Sequence, residues 1–143
     1  MDVKKKATEL VKSCGVFMMA TVDGSNCPQM RPMSGKVVQD NLVILMPTYS
    51  GSRKIHQLQK NQQCQLVFTA QDFSSWTSLT GKASLMTDQK KTHQLFEEFN
   101  KQSPEFGKHF KGSDDPNYGV VEFSTKLIEF NDFSSHQPYV LEL

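Results

Sequence analysis

Long apolar runs are missing from this 143-residue chain. The run from Val16 to Val22 is seven residues, against the roughly 20 that a membrane-spanning helix needs. No membrane partner is expected. Cysteine is scarce: Cys14, Cys27 and Cys64 form no Cys-x-x-Cys pair and have no zinc spacing. All three sit in or beside apolar runs, so they read as buried free thiols that suit a reducing compartment. The polar N-terminus has no hydrophobic leader core, and a cytoplasmic location is expected. Net charge is also nearly absent, at +1. That removes the general case for a nucleic-acid partner. The halves differ, however: residues 1–60 hold nine Lys or Arg against four Asp or Glu, and the rest is acidic.

Nucleotide signatures are missing too. There is no Gly-x-Gly-x-x-Gly, no phosphate-binding Gly-Lys-Ser/Thr loop and no Gly-x-Ser-x-Gly elbow. The four histidines, His56, His93, His109 and His136, have no metal-ligand spacing, so they read as surface residues and no metal is expected. Asp114-Asp115-Pro116-Asn117 reads as a turn. Trp76, the one tryptophan, lies in a strand, where it either fills the core or stacks on a flat ligand. The strand methionines Met18, Met19, Met30, Met46 and Met86 read as core, with Met33 set apart.

What is present alternates like a β protein. Residues 2–13 place Val3, Ala7, Leu10 and Val11 on one helical face. Val16–Val22 reads as a buried strand, and Asp23 to Asn26 as a turn. Cys27–Val38 reads as one returning strand and Leu42–Met46 as a third, giving a β-meander. A helix follows over 51–61, then strands at 65–70 and 73–86, with a bulge or bend at Gly81. Thr87-Asp88 can cap a helix over 89–99, with Leu95, Phe96 and Phe99 inward. Phe106 and Phe110 fall in a partly helical stretch. Strands at 118–130 and 139–143 close the chain. The spacing shows no internal repeat or linker. Six or seven strands and three helices imply one mainly β domain over 1–143, a small barrel with peripheral helices.

The stretch from Arg31 to Lys54 carries the chemistry. Arg31 shares a strand face with Met33, so its guanidinium points to the apolar side and needs an anion. Pro32 marks an edge or a bulge there. Ser50 or Ser52 can cap the following helix, yet Arg53 and Lys54 stand in its first turn. Cations there oppose the helix dipole by roughly 0.3–1 kcal/mol each. A bound anion reverses that sign, whereas the bland alternative turns both side chains into water. An anion site with little catalytic equipment around it suits a protein whose cofactor carries the chemistry.

Four stretches in order resemble the pyridoxamine-5′-phosphate-oxidase-like superfamily of FMN-binding split β-barrels. They are Gly15 to Gly24, Pro28 to Met33, Thr48 with Ser52-Arg53-Lys54, and Trp76 to Gly81. The C-terminal part, Tyr118 to Phe133, is similar to the nitroimidazole-resistance and general-stress-protein branches. The resemblance implies that Arg31, Ser52, Arg53 and Lys54 hold the FMN phosphate, and that Met33, Ser34 and Thr48 border the cofactor. It implies that Trp76 reaches the cofactor of a second subunit, so a homodimer with FMN at the interface. The oxidase's C-terminal arginine and histidine motif is absent here. The implied activity is therefore flavin-dependent reduction of small electron-poor compounds, nitro compounds among them, with NAD(P)H as a candidate donor. The other reading is a flavin or haem carrier or sensor on the same barrel.

Overall fold

The computed structural model describes residues 1–103 and 105–143. Helix α1 spans Val3–Ser13, capped by Asp2, whose carboxylate accepts from the Lys5 amide. Strand β1 is Val16–Val22 and β2 is Pro28–Ser34. The expected single strand over 27–38 is broken: β3 begins afresh at Val37–Gln39. Gly35 causes the break, with φ at +84° in the left-handed region. The side chain of Gln102 then holds the turn, its Oε1 accepting from the Lys36 amide (3.0 Å) and its Nε2 donating to the Lys36 carbonyl (2.6 Å).

Strand β4 covers Val43–Tyr49 and helix α2 covers Arg53–Lys60. Strands β5 and β6 follow at Gln63–Thr69 and Ser75–Leu85. Helix α3, Gln89–Gln102, is capped by Asp88 and buries Leu95, Phe96 and Phe99 as expected. A short α4 covers Phe106–His109, β7 runs over Tyr118–Asp132, and β8 is Tyr139–Glu142.

The pairing is antiparallel throughout, in the order β2-β1-β5-β6-β7-β4-β3, with β8 on β7. This is no meander. Consecutive strands β2 and β3 lie at opposite ends of the sheet. Only Gly35 and Lys36 join them, and a three-residue step reaches about 10 Å at most. The sheet must therefore curl until its edges approach, which makes a split β-barrel. The bulge expected near Gly81 is there, as a register shift between Thr80 and Gly81.

Inside the curl, Phe17, Met19, Ile44, Met46, Leu66, Phe68, Leu79 and Phe123 are almost fully buried beneath α1 and α2. A second cluster joins Leu45, Val120 and Tyr118 to α3 and Phe110 on the outer side. Met30 departs from the core expectation at 63% exposed, because it sits on the outer face opposite Ala20. Met33, by contrast, belongs to the core. Cys14 and Cys64 are buried, but Cys27 is exposed beside the β1–β2 turn. Among the described residues, no helix is long and apolar enough to cross a membrane.

Candidate functional site

Arg31 lies on edge strand β2 directly opposite Met19, and both face the barrel interior. Its guanidinium is held by neutral oxygens alone. Nη1 donates to Thr21 Oγ1 (2.8 Å) and weakly to the Met19 carbonyl (3.4 Å); Nη2 donates to Gln57 Oε1 (3.2 Å). Thr21 also donates to Gln57 Oε1. Burial lowers the Arg31 pKa, and the charge of Arg53 lowers it further; only a Cys64 thiolate would oppose them. That thiol is itself pushed up to about 12 by burial, so it stays protonated near neutrality.

Lys54 stands in the first turn of α2 and folds back to the end of β4. Its Nζ donates to Thr48 Oγ1 (2.8 Å) and Ser52 Oγ (3.3 Å). Burial pushes its pKa down, and the Arg31 charge adds to that. Ser52 is the N-cap residue, yet its hydroxyl makes no capping bond and stays within 3.4 Å of Thr48 Oγ1. Ser50 instead donates to the Pro116 carbonyl. The amides of Arg53 and Lys54 open the helix, where no intrahelical acceptor exists.

Three cations thus converge without a carboxylate. The ion pairs within 4 Å among the described residues, Lys101–Glu98 and Lys108–Glu105, lie elsewhere. Asp23 feels the Arg53 charge, but chiefly its carboxylate is held low by the amides of Cys27 and Ser25. Such a cluster is electrostatically incomplete, and its donors suit an anion.

Beside it opens a pocket of about 220 Å³. Thr48 and Lys54 form its polar wall, Met33 and Ser34 one side, and Tyr49 and Phe110 another. His109 lines it from α4, edge-on to the Tyr49 ring at 6.3 Å. A larger cavity of about 680 Å³ lies towards the C-terminus of α1 and shares only Ser34 with the first. The cation cluster decides between them, because the larger cavity does not reach it.

The structure therefore brings Arg31, Met33, Ser34, Thr48, Ser52 and Lys54 together. Arg53 is exposed at the rim and acts on Arg31 through its charge. Trp76 stands apart. It is 40% exposed and sits on the outer face of β6, one step out of phase with buried Thr77. It does not fill the core. Thr21 and Gln57, which hold Arg31, escaped the sequence reading, although the alternation of β1 already turns Thr21 inward with Met19. Lys36 escaped as well. Once Gly35 breaks the strand, the Lys36 ammonium donates to the Cys14 carbonyl and lies 5.6 Å from the Phe17 ring centroid. Burial pushes its pKa down. Among the described residues no cluster of His, Cys, Asp or Glu could hold a metal.

A family model described as pyridoxamine 5′-phosphate oxidase matches residues 3–132, so the chain belongs to that family. No curated protein matches. Several solved structures share the fold. A Clostridium acetobutylicum protein related to general stress protein 26 superposes with a TM-score of 0.82 at 18% identity, over 100% of this chain and 97% of that one. A NimC/NimA family protein from the same organism gives 0.73 at 20% identity, over 99% and 94%. A haem-binding protein from Mycobacterium smegmatis gives 0.78 at 11% identity, over 99% of this chain and 58% of that one. At these identities the likeness establishes the fold alone.

Proposed function

We propose that this member of the pyridoxamine 5′-phosphate oxidase family binds FMN and serves as a cytoplasmic, homodimeric flavin-dependent oxidoreductase. Its substrates are small electron-poor compounds, nitro compounds among them. The observation that carries this reading is the pair of half-buried cations Arg31 and Lys54, bonded to neutral oxygens only, with the Arg53 charge added at the rim. A phosphate dianion supplies the missing charge. Ser52, with its hydroxyl free of capping duty, and the first amides of α2 add neutral donors to the same anion. Met33, Ser34 and Thr48 would border the ring system. Bound there, FMN would supply the hydride and electron chemistry that no side chain of this chain provides.

The pocket supports a dimer. At about 220 Å³ it falls below the 300–1,000 Å³ usual for a cofactor or drug-sized ligand. One subunit offers half a site. The outer face of the sheet offers apolar surface to a partner: Met18 opposes Pro32 and Val67 there, and Trp76 lies on the same side. With no nucleotide fingerprint in the chain, NAD(P)H would bind only transiently.

Titration with FMN and with riboflavin tests the reading. FMN should saturate the protein at micromolar levels, about 8 kcal/mol, and riboflavin should bind much more weakly. Lack of saturable FMN binding sinks the proposal. A second reading, a haem carrier or sensor, draws on His109, an imidazole that lines the pocket, and on the haem-binding neighbour. A Soret band in the purified protein would favour it. Repeated turnover of NAD(P)H with a nitroaromatic acceptor would favour the enzyme.

A further inference from the structure

The tetrapeptide Asp-Phe-Ser-Ser occurs twice, at residues 72–75 and 132–135. Four residues repeated sixty apart give little signal in the sequence alone. The fold sets the two copies side by side. One leads into β6, the other leaves β7, and Ser75 pairs with Asp132. They also share one hydrogen-bond pattern. Asp72 Oδ1 accepts from the amide and hydroxyl of Ser74, and Asp132 Oδ1 accepts from those of Ser134. The carboxylate and serine satisfy each other, and the phenylalanine between them is left outside. Phe73 is 70% exposed and Phe133 85%. Phe73 also holds a φ of 60°, unusual for an aromatic residue, so the turn displays this side chain against backbone preference.

These two rings continue an apolar face. Trp76 follows directly after one copy, and the outer face beyond it includes Val16 at 64% exposed and Met30 at 63%. Patches of this kind mark interaction surfaces. A cavity of about 560 Å³ opens beside Phe73, bounded by Leu10, Gly15, Val16 and Ala70. Around Cys14 and Gly15 it meets the larger cavity that reaches Ser34. Protruding rings and a receiving hollow therefore share one surface. A surface that carries both is complementary to a copy of itself, as a two-fold interface requires.

We propose that the paired turns are the aromatic knobs of the homodimer, and that Phe73 and Phe133 of one subunit seat in the Gly15–Val16 hollow of the other. This rests on the homodimer reading above and goes further, because it assigns the residues that lock the two copies and the place that receives them. Each subunit would thereby wall the cavity that leads to its partner's ligand pocket.

Two variants test it from opposite sides. Phe73→Ser with Phe133→Ser removes the knobs at exposed positions, where the isolated fold loses little packing. Gly15→Leu fills the hollow; a Cβ at Gly15 would meet no atom within 4 Å in one subunit, so the side chain leaves the backbone into open space. Dimer dissociation is followed on dilution by light scattering and by emission of Trp76, the single tryptophan at the edge of the patch. Both variants should keep the wild-type circular dichroism and weaken the dimer by about tenfold or more, the order expected of buried aromatic anchors. A wild-type dimer whose dissociation is unchanged in both folded variants overturns the proposal and leaves the dimer reading standing. Wild-type protein that stays monomeric at every concentration, with FMN present, overturns both.

Discussion

Lys54 works against its own position while no ligand is bound. It is a cation in the first turn of a helix, partly buried, with a second cation acting on it. Lys54→Ala should weaken FMN by roughly 10- to 100-fold, the loss of one charge-assisted hydrogen bond. Riboflavin should lose little. The ligand-free protein should be equally or slightly more stable, since removing a cation from a helix N-terminus, about 0.3–1 kcal/mol, offsets the lost bonds to Thr48 and Ser52. Paired calorimetry and ligand titration would check both signs. The pH dependence follows from the same depressed amine. Between its lowered pKa and the ordinary lysine range, the unfolded chain binds more protons than the folded one, so unfolding free energy rises with pH. Relative to Lys54→Ala, ligand-free wild type should therefore gain stability as pH climbs through that window. Bound phosphate should flatten the difference. Arg31 was legible in the sequence because strand alternation places it with Met33. Lys36 was not, because its direction depends on a backbone break that a strand pattern hides.

Strand β6 depends on one residue without a side chain. A Cβ on Gly81 would stand 1.9 Å from the Ser124 carbonyl oxygen and 2.9 Å from its carbon, both backbone atoms of β7. Neither strand can yield without breaking the ladder. Gly81→Ala should cost roughly 3 kcal/mol or more, or abolish soluble expression. A thermal midpoint within a few degrees of wild type would show that the bulge can slide. This bulge was legible, since a glycine inside a long strand has few other uses. The split of the second strand was not. Gly35 gave a hint, but the clasp that fixes the turn comes from Gln102, 66 residues away. Helices α1 and α3 read well because each shows an apolar face, to which α3 adds an aspartate cap; the Asp2 cap of α1 came only with the structure.

At the scale of the whole barrel, that clasp ties α3 to the turn that joins the two sheet edges. Gln102→Ala removes both of its bonds to Lys36, about 1–2 kcal/mol in all. Amide exchange should then quicken together in β2 and β3, although they lie at opposite ends of the strand order. Faster exchange in β3 alone would show that the edges open independently. The mainly β class and the barrel were legible from strand number and alternation. Strand order was not, because pairing between distant segments leaves no local mark; β4 was expected beside the whole returning strand, but it pairs only with the last part of it, β3, and on its other side with β7.

That distant pairing has a consequence for how the chain is made. The barrel closes through contacts such as the Thr125 hydroxyl donating to the Leu42 carbonyl, 83 residues earlier. At about 5–20 residues per second, β4 leaves the ribosome roughly 4–17 s before its partner does. For that interval its apolar run, Val43 to Met46, has an open edge and no place to dock. The nascent half-barrel is thus a client for whatever shields hydrophobic strands at the tunnel exit, and slowing translation between residues 49 and 118 should lower the yield of native protein.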